Sequence, residues 1–181
     1  MEKILSKKMI QLSKETAFIL LTVIGAVVLP QIFHVVGVWF GVGGKLGQIF
    51  LPMYIPILII GFYRGPASGA IAGLIAPLIS FALTKMPSSA LLPFITVELM
   101  ATGLLSGIFS RSKLPVVLRI FVVQVIAKMV RLVVVAISLY IANGAVSMGL
   151  LFNGVLTSIP GVVLQLVLLT ILIVRKEKKN A

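Results

Sequence analysis

The sequence predicts an all-α integral membrane protein, a compact bundle of six transmembrane helices with both termini in the cytoplasm. Three observations carry that expectation. Of 181 residues, 60% are hydrophobic and only 11% are charged, and the mean hydropathy is +1.20. A water-soluble domain is about half apolar and about a quarter charged, so the excess apolar surface here must face lipid. The apolar residues gather in six long stretches joined by short turns, and the basic residues fall in alternate connecting segments. The same composition excludes a soluble enzyme and a disordered chain; with no cysteine, it also excludes a disulfide scaffold or a thiolate metal site.

A membrane helix needs about 20 mostly apolar residues, at 1.5 Å each, to cross a hydrocarbon core about 30 Å thick. The qualifying stretches are about 16–36, 49–64, 66–84, 91–110, 115–142 and 147–174, and they leave no room for a soluble domain anywhere in 1–181. The first has too long a charged lead and apolar run for a signal peptide, and no small-x-small cleavage site follows it, so it reads as a retained helix. The second is short and interrupted by Pro52 and Pro56, the mark of a bent helix beside a cavity. Arg64-Gly65-Pro66 then turns tightly into the third. Gly65, Gly69 and Gly73 in the third stretch, and Gly103 and Gly107 in the fourth, recur every four residues, a spacing that lets helix backbones approach closely. They are packing residues: none leads into the Gly-Lys-Ser or Gly-Lys-Thr of a phosphate loop. The fifth stretch carries Gln124, Lys128 and Arg131 on one face, and the sixth carries Asn153 near its start.

Orientation follows from the lysines and arginines. Lys3, Lys7, Lys8 and Lys14 precede the first stretch; Arg64 sits between the second and third; Arg111, Lys113 and Arg119 flank the turn between the fourth and fifth; Arg175, Lys176, Lys178 and Lys179 follow the sixth. These segments hold twelve of the sixteen basic residues, whereas the opposite loops hold only Lys45 and Lys85. The net charge of +12 therefore marks topology and attraction to the anionic head groups of a lipid bilayer; it does not mark nucleic acid as a partner.

Polar residues inside the apolar stretches are costly unless paired or facing a wet cavity, so they carry the functional information. Counting from the helix ends puts Glu98 about 10 Å below the outer surface, Lys128 near the midplane and Arg131 about 24 Å up from the cytoplasmic side. Asn153 also falls in the outer half, with Gln31 and His34 at the outer end of the first helix. The external loop carries Trp39, Lys45 and Gln48, and its Gly41, Gly43 and Gly44 make it a candidate lid. The polar groups thus converge on the outer half, and the cytoplasmic half is expected to be nearly featureless. Glu98, the only acid within a span, either neutralises Arg131 or Lys128 as a structural pair or leaves a residual positive charge for a ligand. His34 reads first as an interfacial polar tip and Trp39 first as a belt residue, with ligand stacking as the alternative.

Catalysis finds no support. The chain has no aspartate and one histidine, so it lacks the sets used by intramembrane aspartyl, serine and metalloproteases, and it has no haem ligands, no ATP site and no implied cofactor. No acidic ring or filter-like loop points to an ion channel.

Leu51-Pro52-Met53-Tyr54-Ile55-Pro56, then Gly61-Phe62-Tyr63-Arg64-Gly65-Pro66 with Gly69, Gly73 and Pro77, then Met86-Pro87 and Glu98-Leu99 through Gly103-Leu104-Leu105-Ser106-Gly107, resemble the substrate-binding S components of energy-coupling factor (ECF) vitamin transporters. The basic N-terminus and the glycine-bearing loop after the first helix fit the same family. The resemblance implies a protein of the bacterial cell membrane that captures a small water-soluble vitamin at its outer half. It implies partners: a membrane T component and two cytoplasmic ATPases. The family docks on the T component partly through Ala-x-x-x-Ala on the first helix; here the nearest match is Thr22 with Ala26, a departure from that pattern.

On this footing the expected function is substrate capture for ATP-driven uptake, with Glu98, Arg131, Lys128, Asn153, Trp39, His34 and Tyr54 as candidate binding residues. A pocket with one acid, two cations, an amide and a few aromatics suits a hydroxymethylpyrimidine or pyridoxine-like ring first, then pantothenate, riboflavin and folate. The competing readings are a self-sufficient secondary transporter or channel, and a structural membrane subunit without a ligand. A secondary transporter usually shows inverted repeats and polar residues along a whole path, and neither is present.

Overall fold

The computed structural model describes residues 2–43, 45–141 and 157–180, with side chains placed from Met9 to Arg175 except those of residues 45 and 48 and of the undescribed segments. Every regular element among them is helical: α1 (Glu2–Trp39), α2 (Lys45–Phe50), α3 (Tyr54–Arg64), α4 (Pro66–Thr84), α5 (Leu92–Phe109), α6 (Val116–Ile141) and α7 (Ile159–Asn180). Four segments are long and apolar enough to cross a bilayer: Met9–Trp39, Pro66–Thr84, Leu92–Phe109 and Val116–Ile141. Large apolar side chains cover much of the outside, among them Leu21, Ile24 and Val35 on α1, Val133 on α6 and Val167 on α7. A water-soluble domain would not leave such a belt uncovered.

Two of the expected boundaries change. The first helix is 38 residues long, beginning at Glu2 instead of near residue 16. At 1.5 Å per residue it measures about 57 Å, well beyond a hydrocarbon core. Nothing between Glu2 and Lys14 breaks a helix, so the basic lead simply continues it. The second expected span, 49–64, is not one helix. It is divided into α2 and the 11-residue α3 by a break at Leu51–Met53. Pro52 lacks the amide proton that a continuous helix would use, and its ring disfavours a right-handed helical conformation at the residue before it. Leu51 sits at φ 47°, in the left-handed region, outside the helical conformation that α2 would need to continue. At about 16 Å, α3 covers roughly half of a bilayer core. The sixth stretch is seen from Thr157 onward, and its beginning near residue 147 lies outside the described residues.

Buried α3 is the hub. Ile57 and Leu58 are fully enclosed, together with Leu99 of α5, Ile120 and Val123 of α6 and Leu169 of α7. Around it, α4 and α5 pack backbone to backbone. A Cβ on Gly69 would overlap the Gly103 carbonyl, a Cβ on Gly73 would overlap that of Leu99, and the relation between Gly69 and Gly103 is reciprocal. The four-residue glycine spacing is thus used at one helix pair. Gly65, at φ 99°, makes the α3–α4 turn in a conformation that a side chain would strain.

The connections also gather the charge. Arg64 meets Glu15 of α1, Gly107 of α5 lies against Pro66, Arg119 donates to the Ser110 carbonyl at 3.0 Å, and Tyr63 donates to Leu172 of α7 at 3.3 Å. The start of α1, the α3–α4 and α5–α6 turns and the end of α7 therefore share one end of the bundle, the end that holds the twelve basic residues.

Candidate functional site

The break before α3 places Tyr54 at the first residue of a helix that starts deep inside the bundle. Glu98 on α5 and Lys128 and Arg131 on α6 meet beside it. Arg131 Nη1 donates to Glu98 Oε2 at 2.9 Å, and Lys128 Nζ reaches Glu98 Oε1 at 3.4 Å. The Lys128 ammonium stands 6.0 Å from the centroid of the Tyr54 ring, and the Tyr54 phenol lies within interaction range of both Glu98 and Arg131. The Glu98 side chain is fully enclosed, while Lys128 and Arg131 keep a small exposure of 16% and 11%. Counted along α5 and α6 from the basic end, the cluster runs from about 16 Å deep at Glu98 to about 23 Å at Arg131, from the middle of a bilayer core into its far half. Carboxylate, ammonium, guanidinium and phenol together can hold a polar or charged solute by hydrogen bonds and charge, in a setting where each interaction is strong.

A second polar layer adjoins it one turn along α6. Gln124 donates to Gln165 of α7, and Gln165 Nε2 donates to the Leu51 carbonyl at 3.2 Å. That carbonyl lies at the helix break, where it also accepts from the Tyr54 amide at 3.1 Å. Gln165 is its second donor and ties α7 to both the break and α6. The sequence reading missed Gln165, although it and Thr170 are the only polar side chains between Ile159 and Val174. Gln165→Leu should leave the Gln124 amide without its partner and take one of two donors from the Leu51 carbonyl. We expect a loss of about 1–3 kcal/mol, measured as a lower melting temperature in detergent, with Gln165→His, which keeps a donor and an acceptor, recovering part of it.

The other candidates fall elsewhere. His34 rests its ring against Gly47 of α2, where a Cβ would sit 3.1 Å from Cε1 and Nε2, so it serves as packing between α1 and the short helix. Trp39 closes α1 with 83% of its surface exposed, the position of a belt residue. Asn153 lies outside the described residues, as do the side chains of Lys45 and Gln48. Ala26 is turned inward and fully buried in the core, whereas Thr22 is only partly covered and its hydroxyl donates to the Phe18 carbonyl of its own helix at 2.8 Å. The small residues let α1 approach the bundle, and the α1 face left open is that of Leu21, Ile24 and Val28. Gln31 Nε2 is buried without a hydrogen-bond partner among the described residues.

The basic end is not featureless, contrary to the sequence expectation. Arg64 grips Glu15 with two contacts, Nη2 at 2.6 Å and Nε at 3.2 Å, and Ser68 Oγ donates to the same carboxylate at 3.1 Å. The guanidinium also stacks 4.4 Å above the Phe18 ring. This knot clamps α1 to the α3–α4 turn. Glu15 directly precedes the first expected span, so the span boundary hid its partner from sequence reasoning.

No family model, curated protein or solved structure matches the chain.

Proposed function

We propose that the chain is the substrate-binding subunit of an ECF-type importer, capturing a small water-soluble vitamin or precursor for uptake driven by a T component and two ATPases. One observation carries the reading: a fully enclosed carboxylate, two cations and a phenol meet at mid-depth in an apolar helical bundle, beside a broken helix. Broken helices at membrane depth are tolerated where they are buried in protein or line a cavity, and transporter substrate sites use them in this way. A single carboxylate flanked by cations offers a binding set and no nucleophile with its base. The gathering of twelve basic residues at one end supports cytoplasmic termini by the positive-inside rule. On that orientation, the Glu98 cluster is reached from the outer side and the Glu15–Arg64 knot faces the cytoplasm.

Two measurements test the reading. Mass spectrometry of protein purified in mild detergent should find a small polar solute carried through purification. In liposomes the lone chain should bind that solute without accumulating it against a gradient. Concentrative uptake by the lone chain would instead make it a self-sufficient secondary transporter.

A further inference from the structure

The charge balance of the Glu98 cluster says what kind of solute completes it. The chain has four acidic residues, Glu2, Glu15, Glu98 and Glu177. Glu15 is held by Arg64 and Ser68 at the basic end, and Glu2 and Glu177 lie near the far ends of α1 and α7. Glu98 is therefore the only carboxylate between residues 16 and 176, and it faces both Lys128 and Arg131. No other side chain of the membrane stretches can cancel the second cation. A net positive charge is left at mid-depth on groups almost fully withdrawn from solvent, a strongly unfavourable arrangement unless an anion joins it.

The two cations are not equivalent. Arg131 closes on Glu98 at 2.9 Å, a charge-assisted hydrogen bond of ordinary length. Lys128 reaches only 3.4 Å from the other oxygen and stands over the Tyr54 ring, which adds a weaker cation–π attraction. Its ammonium is a compact charge with three rotatable donors, able to turn from Glu98 to a second acceptor while Arg131 keeps the first. We propose that the site takes a small solute bearing a single carboxylate, with Lys128 as the counter-ion of that group. The proposal rests on the binding function above and narrows its ligand. A carboxylate-bearing solute moves ahead of the neutral single-ring compounds that the sequence favours.

The test has a ligand-free arm and a ligand arm. Without ligand, Lys128→Met should melt several degrees higher than the wild type, because it removes the surplus charge while keeping an unbranched side chain of similar length. An unchanged or lower melting temperature would make Lys128 a structural partner of Glu98 and overturn the proposal. In the ligand arm, purified wild-type protein is titrated calorimetrically with matched acids and neutral analogues: nicotinate and nicotinamide, pantothenate and pantothenol, biotin and its amide. At least one acid should bind, at least about tenfold tighter than its neutral partner and at least about tenfold weaker to Lys128→Met. Equal binding of an acid and its neutral analogue overturns the carboxylate proposal but leaves substrate binding standing. Failure of every acid, like an equal response to sodium chloride at matched ionic strength, overturns it too. If in addition no solute is carried through purification, the binding function falls with it.

Discussion

Glu98→Gln is expected to be among the most damaging single changes in the bundle, lowering stability by about 3–5 kcal/mol. The wild-type cluster sets one carboxylate against two cations, each on its own oxygen at 2.9 and 3.4 Å. Glutamine keeps the shape and removes the charge, so two cations remain side by side in a site from which solvent is almost excluded. Breaking a buried ion pair from one side leaves the partner desolvated and uncompensated, a larger penalty than the pair itself is worth. The double variant Glu98→Gln/Arg131→Gln should regain much of the loss, because it removes the cation most tightly committed to Glu98. Thermal unfolding in detergent of the two single variants and the double reads the coupling directly. Additive losses would show that Glu98 and Arg131 do not act as a pair.

Gly103→Leu should be at least as severe, for a steric reason. The Gly69 carbonyl lies where the new Cβ must go, and both partners are backbone in the interior of a helix, so neither can swing aside. The α4–α5 pair would have to separate along its length, loosening Gly73 against Leu99 and the contact of Gly61 with Ser106. Overpacking of this kind costs about 1–3 kcal/mol where side chains can adjust, and more where they cannot. We expect Gly103→Leu to aggregate or to elute as a broadened species in size-exclusion chromatography. Leu104→Ala, on the neighbouring partly exposed position, should change stability by only about 0.5 kcal/mol. Monodisperse Gly103→Leu with a wild-type melting temperature would show that α4 and α5 do not meet at this face.

Much of the architecture was legible in one dimension because a bilayer imposes local rules. Apolar length, helix hydrogen bonding within each segment and the alternation of basic turns are all properties of contiguous residues, and they marked α1, α4, α5 and α6 as apolar helices long enough to cross. The glycine interval in α4 and α5 was legible for the same reason, since a four-residue repeat places small residues on one helix face whatever the partner. Lys128 and Arg131 could be put on one face of α6 by spacing alone. Pro52 announced a break, and the break came where it stood.

Tertiary structure decided everything that depends on which face meets which. Spacing could not say that both Lys128 and Arg131 share Glu98, one on each oxygen, or that Tyr54 lies under the ammonium; those facts arise from the crossing of α3, α5 and α6. Nor could it show that Gln165, more than a hundred residues away in sequence, donates to the Leu51 carbonyl at the helix break. The inward turn of Ala26 and the Glu15–Arg64 clasp were hidden likewise, because a small residue fits a core as well as a docking face, and a charge at a span boundary is paired only once another helix arrives. A sequence fixes which groups a membrane helix must satisfy, through the absence of water. The helix that satisfies them is chosen by packing.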